Sequence, residues 1–180
     1  MLVEALEKLI ISGSNSYPIY VGFLNASDLL RVAEVPNFAK STPNHDIATN
    51  VLTPPVKQWQ RPLIPSKRDS IVNTFDGTGE FMPNPVLVAE RCVGAPPIIG
   101  ISPLVVPGGS PTPMKVIDIP EPSSGTDFPL WIIDGQHRIT GLGDPGCAQS
   151  DNPIPVVLLL NNGGNFYNGR NLAKIFAQVT

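Results

Sequence analysis

The sequence predicts a mixed α/β domain, with a mixed sheet flanked by helices and a long Pro/Gly-rich insertion. Three observations predict it. Short apolar runs rich in β-branched residues recur along the chain, at 17–24, 84–90, 129–133 and 154–160. Segments with helical spacing lie between them. Pro (21) and Gly (16) are frequent in the 180 residues, which excludes a helical bundle or coiled coil in favour of a loop-rich domain. The hydrophobic fraction of 42% is enough for a core, and the length fits one domain.

At the N-terminus, Leu2, Leu6, Leu9 and Ile10 stand at helical spacing with Glu4 and Lys8 as an i,i+4 pair, so a helix over 2–11 is expected, ended by Gly13. A strand follows over 17–24. Ser27 is positioned to cap a short helix that stops before Pro36. Residues 36–56 have no clear period and read as a loop. A second helix is expected from Pro65, with Arg68, Ile71, Val72 and Phe75 on one side and Gly77 as its stop. A short strand is expected over 84–90.

Residues 94–129 hold nine prolines and five glycines in 36 positions, a density that breaks helices and interrupts sheet pairing. They are expected to form a surface insertion with one edge strand near 115–119. A buried strand at 129–133, a turn with a short helix at 134–142, and a second buried strand at 154–160 come next. The Asn/Gly cluster at 161–169 reads as a turn and lacks P-loop spacing. The last ten residues begin another helix with no stop signal, so a longer protein is expected, of which 1–180 is a single domain.

A net charge of -3 excludes a bulk cationic coat for nucleic acid, though not a local basic patch. The start carries acids where a signal peptide is basic, and no apolar run is long enough to cross a bilayer, so a cytoplasmic protein without a membrane partner is expected. Cys92 and Cys147 fit no disulfide framework or zinc site and read as small, partly buried side chains. His45 and Asp46 lie far from any other candidate ligand and receive no role.

The chemistry is concentrated in one stretch, Leu130-Trp-Ile-Ile-Asp-Gly-Gln-His-Arg-Ile-Thr-Gly-Leu142. A buried strand ends there in polar groups. Asp134 can cap the next helix, hold Mg²⁺ or position a water. Gly135 permits a tight turn. Gln136 adds an amide, His137 a titratable ring, and Arg138 a planar cation suited to phosphate. The first amides of a helix can donate to an anion, but the dipole contributes only about 0.3–1 kcal/mol, so amides and Arg138 must act together. The plainer reading is an Asp cap, a surface arginine and a structural histidine.

The five residues Asp134–Arg138 are identical to the signature of DGQHR-domain proteins, and the chain resembles that family. Ile139-Thr-Gly-Leu142, Lys67-Arg68 before Ile71, Val72 and Phe75, the passage Met82-Pro-Asn-Pro-Val-Leu-Val88, and Ile154-Pro-Val-Val-Leu158 are also similar to it. The Pro/Gly-rich segment departs from the family pattern. The resemblance implies a ParB/sulfiredoxin-like fold and a nucleotide, ATP with Mg²⁺, at the turn. It implies ATP hydrolysis in service of DNA modification, of the phosphorothioation or 7-deazaguanine type, or of its regulation. Gly135, Gln136, His137 and Arg138 would then contact phosphate, Asp134 would support the metal or a water, and His137 would move a proton. Arg68 would reach the same pocket. DNA and other DNA-modification proteins are the implied partners, and a homo-oligomer is compatible with the sequence. The competing class is a non-enzymatic DNA-binding regulator. A nuclease is disfavoured, because no compact ligand set accompanies Asp134.

Lys57, Arg61, Lys67 and Arg68 place four cations within 12 residues, with Trp59 among them and no acid. Such a patch can neutralise nucleic-acid phosphates while the indole stacks on a base. The alternative is a solvated face with Trp59 packed on the core.

Overall fold

The computed structural model describes residues 1–36, 63–75, 84–92, 99–105, 107–109, 112–123, 127–147, 151, 153–169, 171–172 and 174–175. In chain order the elements are β1 (Leu2–Ser12), β2 (Asn15–Asn25), α1 (Ala26–Val32), β3 (Ala33–Glu34), α2 (Pro65–Phe75), β4 (Val86–Glu90), β5 (Gly100–Pro103), β6 (Met114–Asp118), β7 (Leu130–Asp134), α3 (Gln136–Leu142) and β8 (Pro153–Leu159). The architecture is mixed α+β, as expected. The eight strands form one sheet in the order β3-β7-β4-β8-β2-β1-β6-β5. Two pairs are parallel, β3 with β7 and β4 with β8; the others are antiparallel.

The first expected helix is a strand. Leu2–Ser12 pairs with β2 on one side and, through Leu2–Leu6, with β6 on the other. The physical reason lies in the spacing: residues four apart share a face in a helix and also in a strand. Leu2, Leu6 and Ile10, like Glu4 and Lys8, satisfy both periods. The buried Val3 and Ala5, alternating with the exposed Leu2 and Glu4, reveal the two-residue period. Ser27 does not cap α1. Asn25 occupies that position without a side-chain cap bond, and the Ser27 hydroxyl instead donates to Asp151 at 3.2 Å. The helix ends at Val32 because Ala33 and Glu34 join β7.

The expected edge strand at 115–119 is an inner strand. β6 lies between β1 and β5, and Ile117 and Ile119 are fully buried. The nearby prolines do not interrupt the pairing: Pro113 precedes β6 and its carbonyl accepts the Glu7 N–H at 2.9 Å, and Pro103 is the last residue of β5, paired with Lys115. The strands expected at 17–24, 84–90, 129–133 and 154–160, and the helix from Pro65, are present with shifted ends. The loop expected over 36–56 and the stop at Gly77 lie outside the described residues, apart from Pro36.

Two apolar clusters sandwich the sheet. On one face, α1 and α3 contribute Ala26, Leu29, Val32, Ile139 and Leu142 over Val86 and Val88, Leu130 and Ile132, and Val156 and Leu158. α2 closes on α3 at Gly141, where a Cβ would come within 2.9 Å of Ile71 Cγ2. On the other face, Tyr167 and Leu172 cover Ala89, Trp131, Ile133 and Leu159. The buried Tyr167 hydroxyl donates to the Pro18 carbonyl at 2.7 Å and ties this cover to β2. Both cysteines are free, Cys147 buried and Cys92 half-buried. Burial raises the Cys92 thiol to about 11, which keeps it protonated at neutral pH.

Candidate functional site

The strand-turn-helix unit forms as the spacing suggests, but Asp134 does not cap the helix. It is the last residue of β7, and Gly135 is the N-cap, with φ 96° and no side-chain cap bond. A side chain at 135 would be strained at that φ, and its Cβ would stand 3.1 Å from both Val86 Cγ2 and Arg138 Nη2. Glycine thus allows β4 and the guanidinium to close against the turn.

Asp134 instead accepts from Arg138. Nη2 lies 2.9 Å from Asp134 Oδ2, and Nη1 donates to the carbonyls of Asn84 (3.1 Å) and Pro85 (3.2 Å). The arginine therefore pins the chain entering β4 to the end of β7. Among the described residues, three contacts against the five donors of a guanidinium leave two N–H groups for a further acceptor. The Arg138 side chain is 20% exposed and Asp134 42%, so the pair sits at the protein surface with its anchored side inward.

His137 joins the turn to α2. Its Nε2 accepts the Ile64 N–H at 3.1 Å, one residue before α2 begins. Burial, and then the charge of Lys67, hold its pKa below the ordinary histidine value. The neutral ring with Nε2 accepting carries its proton on Nδ1, so His137 presents a donor and its basic nitrogen is already engaged. Gln136 is buried (7% exposed), and its carbonyl accepts the Thr140 hydroxyl at 2.7 Å.

Lys67 stands in the first turn of α2, and its charge is the second cause of the lowered His137 pKa. Arg68 goes elsewhere. It pairs with Asp144, just beyond α3, and with Asp69 at 3.3 Å. With Val72, Asn73 and Gly146 these residues line an open cleft of about 380 Å³ between α2 and the turn after α3. Lys57, Trp59 and Arg61 of the basic patch, and His45 and Asp46, lie outside the described residues. No group of three or more His, Cys, Asp or Glu able to hold a metal ion occurs among the described residues. No helix among the described residues is long and apolar enough to cross a membrane.

Two functional-looking acids escape a reading of the sequence. Asp144 pairs with Arg68 only through tertiary folding. Glu90 is a nearly buried carboxylate at the end of β4 that accepts the Asn161 N–H at 2.7 Å, and burial raises its pKa. An acid closing an apolar strand was the signal available for it. No protein-family model, curated protein or solved structure matches the chain.

Proposed function

We propose that this chain is a nucleotide-binding DGQHR domain of ParB/sulfiredoxin-like type, cytoplasmic, binding and hydrolysing ATP in DNA modification or its regulation. The observation that carries the reading is the meeting of cationic and donor groups from two distant segments at the β7–α3 turn. Among the described residues Arg138 is held by three contacts with two N–H groups to spare, His137 offers Nδ1–H, and Lys67 stands in the first turn of α2, three residues beyond the Ile64 N–H that His137 accepts. A guanidinium already fixed by carbonyls loses little freedom on gripping a phosphate, which favours binding.

The donor set fits Mg²⁺ only as an ion carried in by the nucleotide. Asp134 offers one carboxylate, with one oxygen bonded to Arg138, and Mg²⁺ on nucleotides commonly takes one or two carboxylates, phosphate oxygens and water. Bound there, the ion would supply charge neutralisation on the phosphates. Asp134 would orient it or a water, and His137 would donate a hydrogen bond.

Calorimetric titration with ATP, CTP and GTP plus Mg²⁺ tests this, on wild type, Arg138→Lys and Lys67→Ala. Saturable binding, weakened at least about tenfold in both variants, is expected. Absence of binding by every nucleotide to the folded chain would overturn the reading and move attention to a DNA-binding regulator.

A further inference from the structure

The segment after β8 holds the two Asn-Gly pairs of the chain, Asn162-Gly163 and Asn168-Gly169. An asparagine followed by glycine is open to attack by the next backbone nitrogen on its side-chain carbonyl, because glycine has no Cβ to shield that nitrogen. The fold treats the two pairs differently.

Asn162 and Gly163 are the central residues of an exposed turn, at φ 46° and 78°. One backbone bond closes it, from the Gly164 N–H to the Asn161 carbonyl at 2.8 Å. The Gly163 N–H has no acceptor among the described residues, and nothing stands within 4 Å of where a Cβ at 163 would be. Asn168 is held at both of its oxygens. Its Oδ1 accepts the Asn171 N–H at 3.0 Å, and its carbonyl accepts the Leu172 N–H at 2.9 Å. Gly169 is buried.

We propose that Asn162 is a site of spontaneous deamidation, and that the reaction unlatches the cover built around Tyr167. First the Gly163 nitrogen bonds to Asn162 Cγ. Its proton goes to the leaving amide nitrogen, ammonia departs, and a five-membered succinimide remains. Water then adds to either carbonyl of the imide. Opening on the side-chain carbonyl gives aspartate. Opening on the main-chain carbonyl gives isoaspartate, whose backbone is longer by one carbon. Water is the one co-reactant.

Either product disturbs what the turn holds. Beside it, the Asn161 N–H donates to Glu90 Oε2 at 2.7 Å, and Asn161 Oδ1 accepts the Tyr167 N–H at 2.8 Å. The Asn162 carboxamide reaches toward the hydroxyl of the buried Tyr20, which donates to Glu7 Oε1 at 3.0 Å. A carboxylate at 162 has no hydrogen to offer that oxygen and repels Glu7 beyond it. The longer backbone of isoaspartate breaks the 161–164 turn itself. These residues are separate from the β7–α3 turn, so the inference is independent of the nucleotide reading.

The test incubates the 180-residue chain in mildly alkaline buffer, folded and in urea, with peptide mapping by mass spectrometry. In the folded chain Asn162 is expected to convert at least about tenfold faster than Asn168, which must first lose two hydrogen bonds. In urea the two pairs convert at similar rates. Asn162→Asp, one of the two products, should melt about 2–4 °C below Asn162→Gly, which fits the same φ without a charge. Amide exchange at Tyr167 should quicken in the same Asn162→Asp variant. No conversion at Asn162, equal conversion of both pairs in the folded chain, or Asn162→Asp melting together with Asn162→Gly would overturn the inference.

Discussion

In the part of the sheet made by β7, β4 and β8, side chains on both faces are covered; where the start of β1 runs beside Val21 and Phe23 of β2, one face is left to solvent. The alternation is explicit in the first region. Leu130, Ile132, Val86, Val88, Val156 and Leu158 face the helices, while Trp131, Ile133, Ala89 and Leu159 face the cover built around Tyr167. In the second region Val3, Ala5, Tyr20 and Leu24 are buried, and Leu2, Val21 and Phe23 are open. The difference teaches where each part of the molecule keeps its rigidity. The candidate site hangs from the doubly covered region, where burial on both faces fixes β7 and β4; the singly covered one leaves Leu2 and Phe23 to solvent.

The largest test of that contrast is Ile133→Ala. It removes a fully buried side chain from beneath the Tyr167 cover and is expected to cost about 2–5 kcal/mol in urea unfolding. Gly135→Ala comes next, at about 1–3 kcal/mol, because a Cβ at φ 96° is strained and crowds Val86 and Arg138. Thermal unfolding reads it, and the same variant should weaken nucleotide affinity. Tyr167→Phe removes the buried donor to the Pro18 carbonyl and is expected to cost about 1–2 kcal/mol by denaturant titration.

His137 gives a pH-dependent effect. Its folded pKa is lowered, so the unfolded chain takes up the proton first as pH falls. Stability from the neutral ring is therefore full above the ordinary histidine value of about 6.5 and declines as pH falls below it toward the lowered folded pKa. The stability gap between wild type and His137→Gln should narrow from about pH 7.5 to about pH 5.5 in paired melts, since the other ionisations are common to both proteins. A gap that widens would show that the charged ring is the one favoured in the fold. Smallest is Phe23→Ser, expected to change monomer stability by less than about 0.5 kcal/mol, since the ring is 66% exposed. A cost near that of Ile133→Ala would erase the distinction between the two regions.

The doubly covered strands were the legible ones. A strand buried on both faces is a continuous apolar run, and LWII and IPVVLLL have no other economical reading once turns flank them. β1 was misread because its i,i+4 pairs serve either period. β6 was partly hidden by a proline-dense neighbourhood, yet Pro113 stands just before it and Pro103 pairs only at the very end of β5. The candidate site divides in the same way. Asp134 to Arg138 are contiguous, so their strand-turn-helix could be read directly. The Ile64 N–H on His137, the Asn84 and Pro85 carbonyls on Arg138, and Asp144 on Arg68 join residues far apart in the chain. Nothing local in the sequence marks such pairs.

The strand order also sets a timetable. β4 is complete at Glu90, yet its two neighbours are β7, finished at Asp134, and β8, finished at Leu159. At roughly 5–20 residues per second of synthesis, the 69 residues from Glu90 to Leu159 keep β4 waiting about 3–14 s with its apolar faces unburied. β2 waits longer still for β8. During that interval the unpaired edges of β4 and β2 are open to association, and a chain cut before Pro153 would leave both edges able to capture a strand from another molecule.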